Sequence, residues 1–136
     1  MSSDIKARAA RFVEKHNQAD YMQTFDELLT PDVKVHEYLP GLPEPMDRNV
    51  YTAFIAGFRD ALPDVRNAVD DVFSDGDRVA VRWHASGTHT GEPLMGIAAK
   101  GKAVQAHGIY ILRFEGDRIA EIWNNWDNAN VMQQLS

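Results

Sequence analysis

The 136-residue chain contains no cysteine. A disulfide framework, a thiol nucleophile and a thiolate metal site are therefore excluded. The absence fits a reducing, cytoplasmic compartment. No apolar run approaches the roughly 20 residues that span a bilayer. The segment Met1–Lys6 lacks the apolar stretch of a signal peptide, so none is expected. Basic residues are few and scattered, with 14 Lys and Arg against 20 Asp and Glu and a net charge of −6. A phosphate backbone needs a clustered basic face, so neither nucleic acid nor membrane is an expected partner. Gly101-Lys102 lacks the upstream glycine and the following Ser or Thr of a phosphate-binding loop. No pair of histidines has the spacing of a zinc-binding helix, and no metal or cofactor is expected. What is present is ordinary globular composition, 44% apolar and 25% charged. Its length suits one domain over residues 1–136.

The apolar period divides the chain into two halves. Ile5, Ala9, Phe12, Val13 and His16 recur at helical spacing and predict a helix over 4–18, capped by Asp4. His16 lies on that stripe and reads as a satisfied core residue. A second helix is predicted over 20–29, capped by Asp20, and a strand over 33–38 with Val33, Val35 and Glu37 in phase. Three prolines make residues 39–46 a stiff loop. Asp47 or Asn49 can cap a third helix with the stripe Tyr51, Phe54, Ile55, Phe58 and Leu62. The period then changes to two. Val65, Asn67, Val69 and Asp71 alternate with other residues, and Ser74-Asp75-Gly76-Asp77 signals a hairpin. Val79, Val81, Trp83 and Ala85 share one face of the next strand. A loop over 87–102 leads to strands at 103–114 and 118–126, and the tail can add a helical turn. Three N-terminal helices on a curved antiparallel sheet give an α+β fold. The last strands are apolar on both faces, Val104, Ala106, Tyr110 and Leu112 opposing Ile109 and Ile111. The second face needs cover, which predicts a homodimer through the sheet.

The ordered succession Phe58–Arg66, Gly76–Trp83, Gly87–Gly91, Met95-Gly96, Gly108–Phe114 and Asp117–Trp123 resembles the SnoaL-like polyketide cyclases. These form a branch of the nuclear transport factor 2 superfamily. The resemblance implies a cone-shaped α+β barrel, a deep pocket between helices and sheet, and dimers packed through the sheet. It also implies a small apolar or aromatic ligand and an acid/base aspartate on the last strand, closing a ring by intramolecular aldol addition. That position holds Asn124, whose carboxamide takes up no proton at neutral pH. The resemblance thus leaves two readings open. One is a cofactor-free enzyme that abstracts a proton beside a carbonyl, giving cyclisation or isomerisation. The other is a non-catalytic binding protein of the same fold.

The carboxylate nearest to Asn124 in sequence is Asp127, which could supply the acid or could cap the C-terminal turn. The ketosteroid isomerases, more distant relatives, carry their base just after the short strand that follows the second helix, which here is Glu37. Apolar walls would raise the pKa of such a carboxylate; at a pocket rim it would simply sit in water. Tyr110 falls at an oxyanion-donor position of those isomerases and could equally be core. Asn124 shares its parity with Ala120, Ile122 and Trp126 and should face the pocket. Glu121 has the opposite parity and belongs to the dimer face or solvent. Trp83, Trp126, Phe54 and Phe58 are candidate apolar walls. His89, in the glycine loop, and His107, out of phase with Tyr110, are candidate rim residues.

Overall fold

A computed structural model describes the backbone of residues 2–136 and the side chains of 4–16 and 18–136. The first helix, α1 (Ser2–Glu14), buries Ile5, Ala9, Phe12 and Val13 and passes into a short 3₁₀ turn at Lys15–Asn17 that carries buried His16. Helix α2 (Tyr21–Leu28) buries Tyr21, Thr24, Phe25 and Leu28. Helix α3 (Arg48–Ala61) starts where the Asp47 carboxylate accepts from the Val50 N–H at 2.9 Å. Complete burial of Phe12, Phe25 and Tyr51 stabilises the helix layer by roughly 1.5–3 kcal/mol per side chain.

The sheet comprises β1 (Leu29–His36), β2 (Arg66–Asp75), β3 (Arg78–Thr88), β4 (Ala103–Glu115) and β5 (Arg118–Trp126), in the order β1-β5-β4-β3-β2. A fourth helix, α4 (Asn128–Leu135), lies against β4 and buries Val131 and Leu135. The α+β class and the curved sheet agree with the sequence reading.

Several expectations need correction. The described residues hold four α-helices, because the tail forms two turns rather than one. The sheet is curved but open, with β1 and β2 as its edges. It is not wholly antiparallel either: β1 runs parallel to β5. That strand begins at Leu29, four residues before the predicted start. Pro31 lies within it, as a strand with one unpaired edge permits. Asp4 lies inside the first turn of α1 rather than capping it. Asp20 occupies the cap position of α2 without a side-chain capping bond. In β2 the pairing shifts between Val69 and Asp71. Asp71 thus leaves the phase of Asn67 and Val69, and Val72 takes its place opposite Val81.

The loop between β3 and β4 is docked onto the end of α3. Helix C-termini leave carbonyls unsatisfied. Here Gly91 N–H donates to Ala61 O at 3.0 Å and Glu92 N–H to Asp60 O at 3.1 Å. The Asp64 carboxylate holds the loop's origin, accepting from the Thr88 N–H at 2.7 Å and from its hydroxyl at 2.9 Å. A Cβ on Gly91 would lie 1.9 Å from Asp60 O. Gly91→Ala must therefore undock the loop, and its urea midpoint should fall by the equivalent of about 1–3 kcal/mol. An unchanged midpoint would show that the loop does not cap α3.

Candidate active site

The inner face of the sheet aligns the polar candidates in one lateral row. Tyr110 on β4 is the ladder partner of Asn124 on β5. His36 on β1 pairs with Trp123, so Glu37, one residue on, comes level with Asn124. Tyr38 follows with φ 55°. This left-handed conformation, sparsely populated by non-glycine residues, turns the chain out of the strand and makes Glu37 its last inward residue. The adjacent row is Trp83, Gly108 and Trp126. A Cβ on Gly108 would meet Trp83 Cζ2 at 2.6 Å and Trp126 Cβ at 2.8 Å. Only glycine leaves both indoles room over the sheet.

These rows converge on the Glu37 carboxylate. Trp126 Nε1–H donates to Oε1 at 2.9 Å, and Asn124 Nδ2 donates to Oε2 at 3.0 Å and Oε1 at 3.3 Å. Trp83 Nε1–H donates to Asn124 Oδ1 at 3.2 Å. An indole can only donate, so that bond fixes the amide with its oxygen toward Trp83 and its NH₂ toward Glu37. Glu37 is 5% exposed. Burial raises its pKa from 4.5 to about 7, against the opposing effect of the Asn124 and Trp126 bonds.

A second cluster stands beside it. His16 Nδ1–H donates to Phe12 O at 2.7 Å, leaving Nε2 as a bare acceptor. Tyr51 hydroxyl lies 3.0 Å from that nitrogen, and Tyr110 hydroxyl lies 3.4 Å from it and 3.5 Å from the Tyr51 oxygen. Burial lowers the His16 pKa to about 4, so the ring is neutral at physiological pH. Burial raises both tyrosines above their ordinary value, and the Glu37 charge adds to this. Tyr51 takes the short bond to Nε2. The Tyr110 proton has only long contacts and is available to an oxygen in the cavity.

That cavity, about 80 Å³ in volume, is lined by Glu37, Tyr110, Asn124 and His16 on its polar side. Phe54, Phe58, Trp83 and Trp126 form much of its apolar wall. One water needs roughly 10–15 Å³, so the space exceeds that of a single solvent molecule.

Three predicted site residues lie elsewhere. His89 is fully buried in the β3–β4 loop, with Nε2 donating to Glu92 O at 2.8 Å, and does not line the cavity. His107 is the ladder partner of His84 on the outer face, where its side chain is exposed. Asp127 accepts from the His107 N–H at 2.9 Å and from Asn130 Nδ2 at 3.3 Å, so its carboxylate is committed at the start of α4. Glu121 lies on the outer face with His36 and Arg113. Among the described residues no cluster of three His, Cys, Asp or Glu could hold a metal ion. No described helix is long and apolar enough to cross a membrane.

The family profile of the SnoaL-like polyketide cyclases matches residues 7–135. The chain belongs to this family. Among solved structures, the SnoaL-like chain is similar to IdmH from Streptomyces antibioticus, a candidate polyketide cyclase. They share 28% identity over 96% of this chain and 97% of that one, with a TM-score of 0.83. A candidate polyketide cyclase from Acidithiobacillus ferrooxidans is 28% identical over 99% and 96% of the two chains, with a TM-score of 0.80. AclR from Streptomyces galilaeus, a candidate hydroxylase, shares the fold at 22% identity and a TM-score of 0.87, over 99% of this chain and 82% of its own. No curated protein sequence matches the chain.

Sequence reasoning missed His16 and Tyr51 as members of this SnoaL-like site, because both sit on apolar helical stripes and read as core. The available signal was a titratable ring and a phenol on stripes that must face the same sheet.

Glu37 and His16 have opposite effects on stability. Native Glu37 keeps its proton to about pH 7, whereas the unfolded chain loses it near 4.5. Its contribution is complete below pH 4.5 and is lost as pH rises through about 7. The unfolded His16 protonates near 6.5 and the native ring only near 4. Its contribution is complete above pH 6.5 and is lost as pH falls toward 4. Glu37→Gln removes the first effect alone. The stability of this variant relative to wild type should therefore rise by ~3 kcal/mol between pH 4.5 and 8. Chemical denaturation across that range measures the difference; a pH-independent one would mean that Glu37 is solvated in the folded state.

Proposed function

We propose that the protein is an enzyme that abstracts a proton from carbon beside the carbonyl of an apolar, polyketide-like substrate, giving cyclisation or isomerisation. The observation that carries this reading is the buried Glu37 carboxylate, held by two donors at the edge of a cavity it shares with the Tyr110 hydroxyl. Oε2 accepts one bond and retains a lone pair for the proton. As the C–H bond breaks, its electrons pass to the carbonyl oxygen, where Tyr110 donates to the enolate. In an aldol closure the enolate carbon then bonds to a second carbonyl carbon, and the new alkoxide takes the proton back from Glu37. For isomerisation the same proton returns to a different carbon. A base with a pKa near 7 suits neutral pH. Asn124 has both ends of its amide engaged, so it positions Glu37 rather than serving as the oxyanion donor. The step uses only groups of this chain.

Deuterium exchange at the α-carbon of β-tetralone, followed by NMR in D₂O, tests the reading. Wild type should accelerate exchange, with kcat/KM rising with pH through about 7. Glu37→Gln should lose at least about a hundredfold while remaining folded. Binding of the ketone without exchange, or full activity in Glu37→Gln, would reject catalysis and favour the binding-protein reading, for which Asn124 at the usual aspartate position is the motivation.

We also propose that two copies pair through the outer sheet face. His36, Trp123, Ile111, Ala80 and Phe73 are successive ladder partners across all five strands. In this row Ile111 is 40% and Phe73 65% exposed, and Ile109 in the next row is 48% exposed. Exposed apolar side chains on neighbouring strands, Phe73, Ile109 and Ile111, are the kind of surface a second chain covers. Light scattering on wild type should give twice the chain mass, and Ile111→Asp should give the monomer. A monomeric wild type at micromolar concentration would overturn the pairing.

A further inference from the structure

Among the described residues that line the cavity, one is an arginine or lysine, and it has no carboxylate in ion-pair contact. Arg59, on α3 beside Phe58, lines the space. Five arginines form ion pairs with acids among the described residues: Arg8 with Asp117, Arg11 with Glu27, Arg48 with Asp26, Arg82 with Asp70 and Asp71, and Arg113 with Glu115 and Glu121. Arg59 forms no ion pair with any described residue. One of its five N–H groups donates to His16 O at 3.1 Å, and the plane lies 5.0 Å over the Tyr21 ring. The rest of the fork has no protein acceptor among the described residues. It is half-buried, and its charge reaches the His16 ring, whose protonation it opposes. Glu37, at the other polar position, is governed instead by its burial and by its bonds to Asn124 and Trp126. A chain of net charge −6 repels anions. A guanidinium held against an apolar cavity by one backbone bond and a ring is therefore a local exception, with the planar fork suited to a carboxylate.

We propose that the substrate is an apolar ketone that carries a carboxylate, and that Arg59 binds this group while the ketone lies between Tyr110 and Glu37. The proposal deepens the reading of the site given above and rests on it for the position of the ketone. Arg59 is a specificity residue here and takes no part in proton transfer.

Isothermal titration of a naphthyl γ-keto acid and its methyl ester tests it at pH 6.5 in low salt. The wild type should bind the acid at least about tenfold more tightly than the ester, the margin expected of one charge-assisted pair. Added salt should narrow that margin. Arg59→Gln should abolish the preference for the acid over the ester, and Arg59→Lys should retain part of it. A wild type that binds both equally, or prefers the ester, overturns the proposal even where Arg59→Gln fails to fold. A preference that persists in folded Arg59→Gln overturns it too. Acid binding that depends on Arg59 but brings no α-deuterium exchange would defeat the catalytic reading and leave the carboxylate preference standing. Exchange of the ester at full rate with no preference for the acid would do the reverse.

Discussion

Burial of one carboxylate governs the arrangement of the sheet around it. A charge out of water is costly unless donors meet it, and Glu37 is met by the Asn124 amide and the Trp126 indole. Each donor needs its own support. Asn124 is oriented by Trp83, and Trp83 and Trp126 approach one another over the missing side chain of Gly108. The chain therefore commits four positions on three strands to one side chain at the end of a fourth strand. These partners hold the carboxylate in place without fully ionising it. Burial outweighs their bonds, and the group stays poised near neutrality. This balance makes the arrangement suitable for moving a proton and less suitable as a structural anchor.

The fold was readable because it is written in two periods. Helical spacing from Ile5 to Leu62 and alternation from Val79 onward gave the layers, and the parities of Tyr110, Asn124 and Trp126 gave the inner face. What local pattern could not supply was the partner of β1. A parallel pairing between residues some ninety positions apart leaves no turn signature, whereas an antiparallel hairpin announces itself through residues such as Gly76. That single pairing brings Glu37 level with Asn124, so the residues of the site could be named while their juxtaposition could not. The bulge at Asp70 is a similar case, since one extra residue inverts a face without altering composition. His89 and His107 were placed by loop chemistry and proximity in sequence, which carry no direction. The loop that holds His89 is committed to the end of α3, and His107 follows the alternation of β4 outward.

Strand β5 serves both faces of the sheet. Ile122, Asn124 and Trp126 point to the cavity side, while Trp123 stacks on His36 on the outer side, with ring centroids 5.2 Å apart. His36 is bonded to Glu44 and Glu121, and Arg78 lies 5.4 Å from the Trp123 ring. The polar groups of the site and the aromatic and charged groups of the outer face thus occupy consecutive residues of the same strands. A side chain repacked on one face shifts the backbone that carries the other.

The 3.0 Å separation between Asn124 and Glu37 also says something about how such a site can change its sequence. Two carboxylates at that distance cannot both ionise and would share a single proton. The position on the last strand and the position after the first are therefore two seats that hold one negative charge between them, facing the same cavity from adjacent strands. An acid in one seat is best matched by a neutral amide in the other.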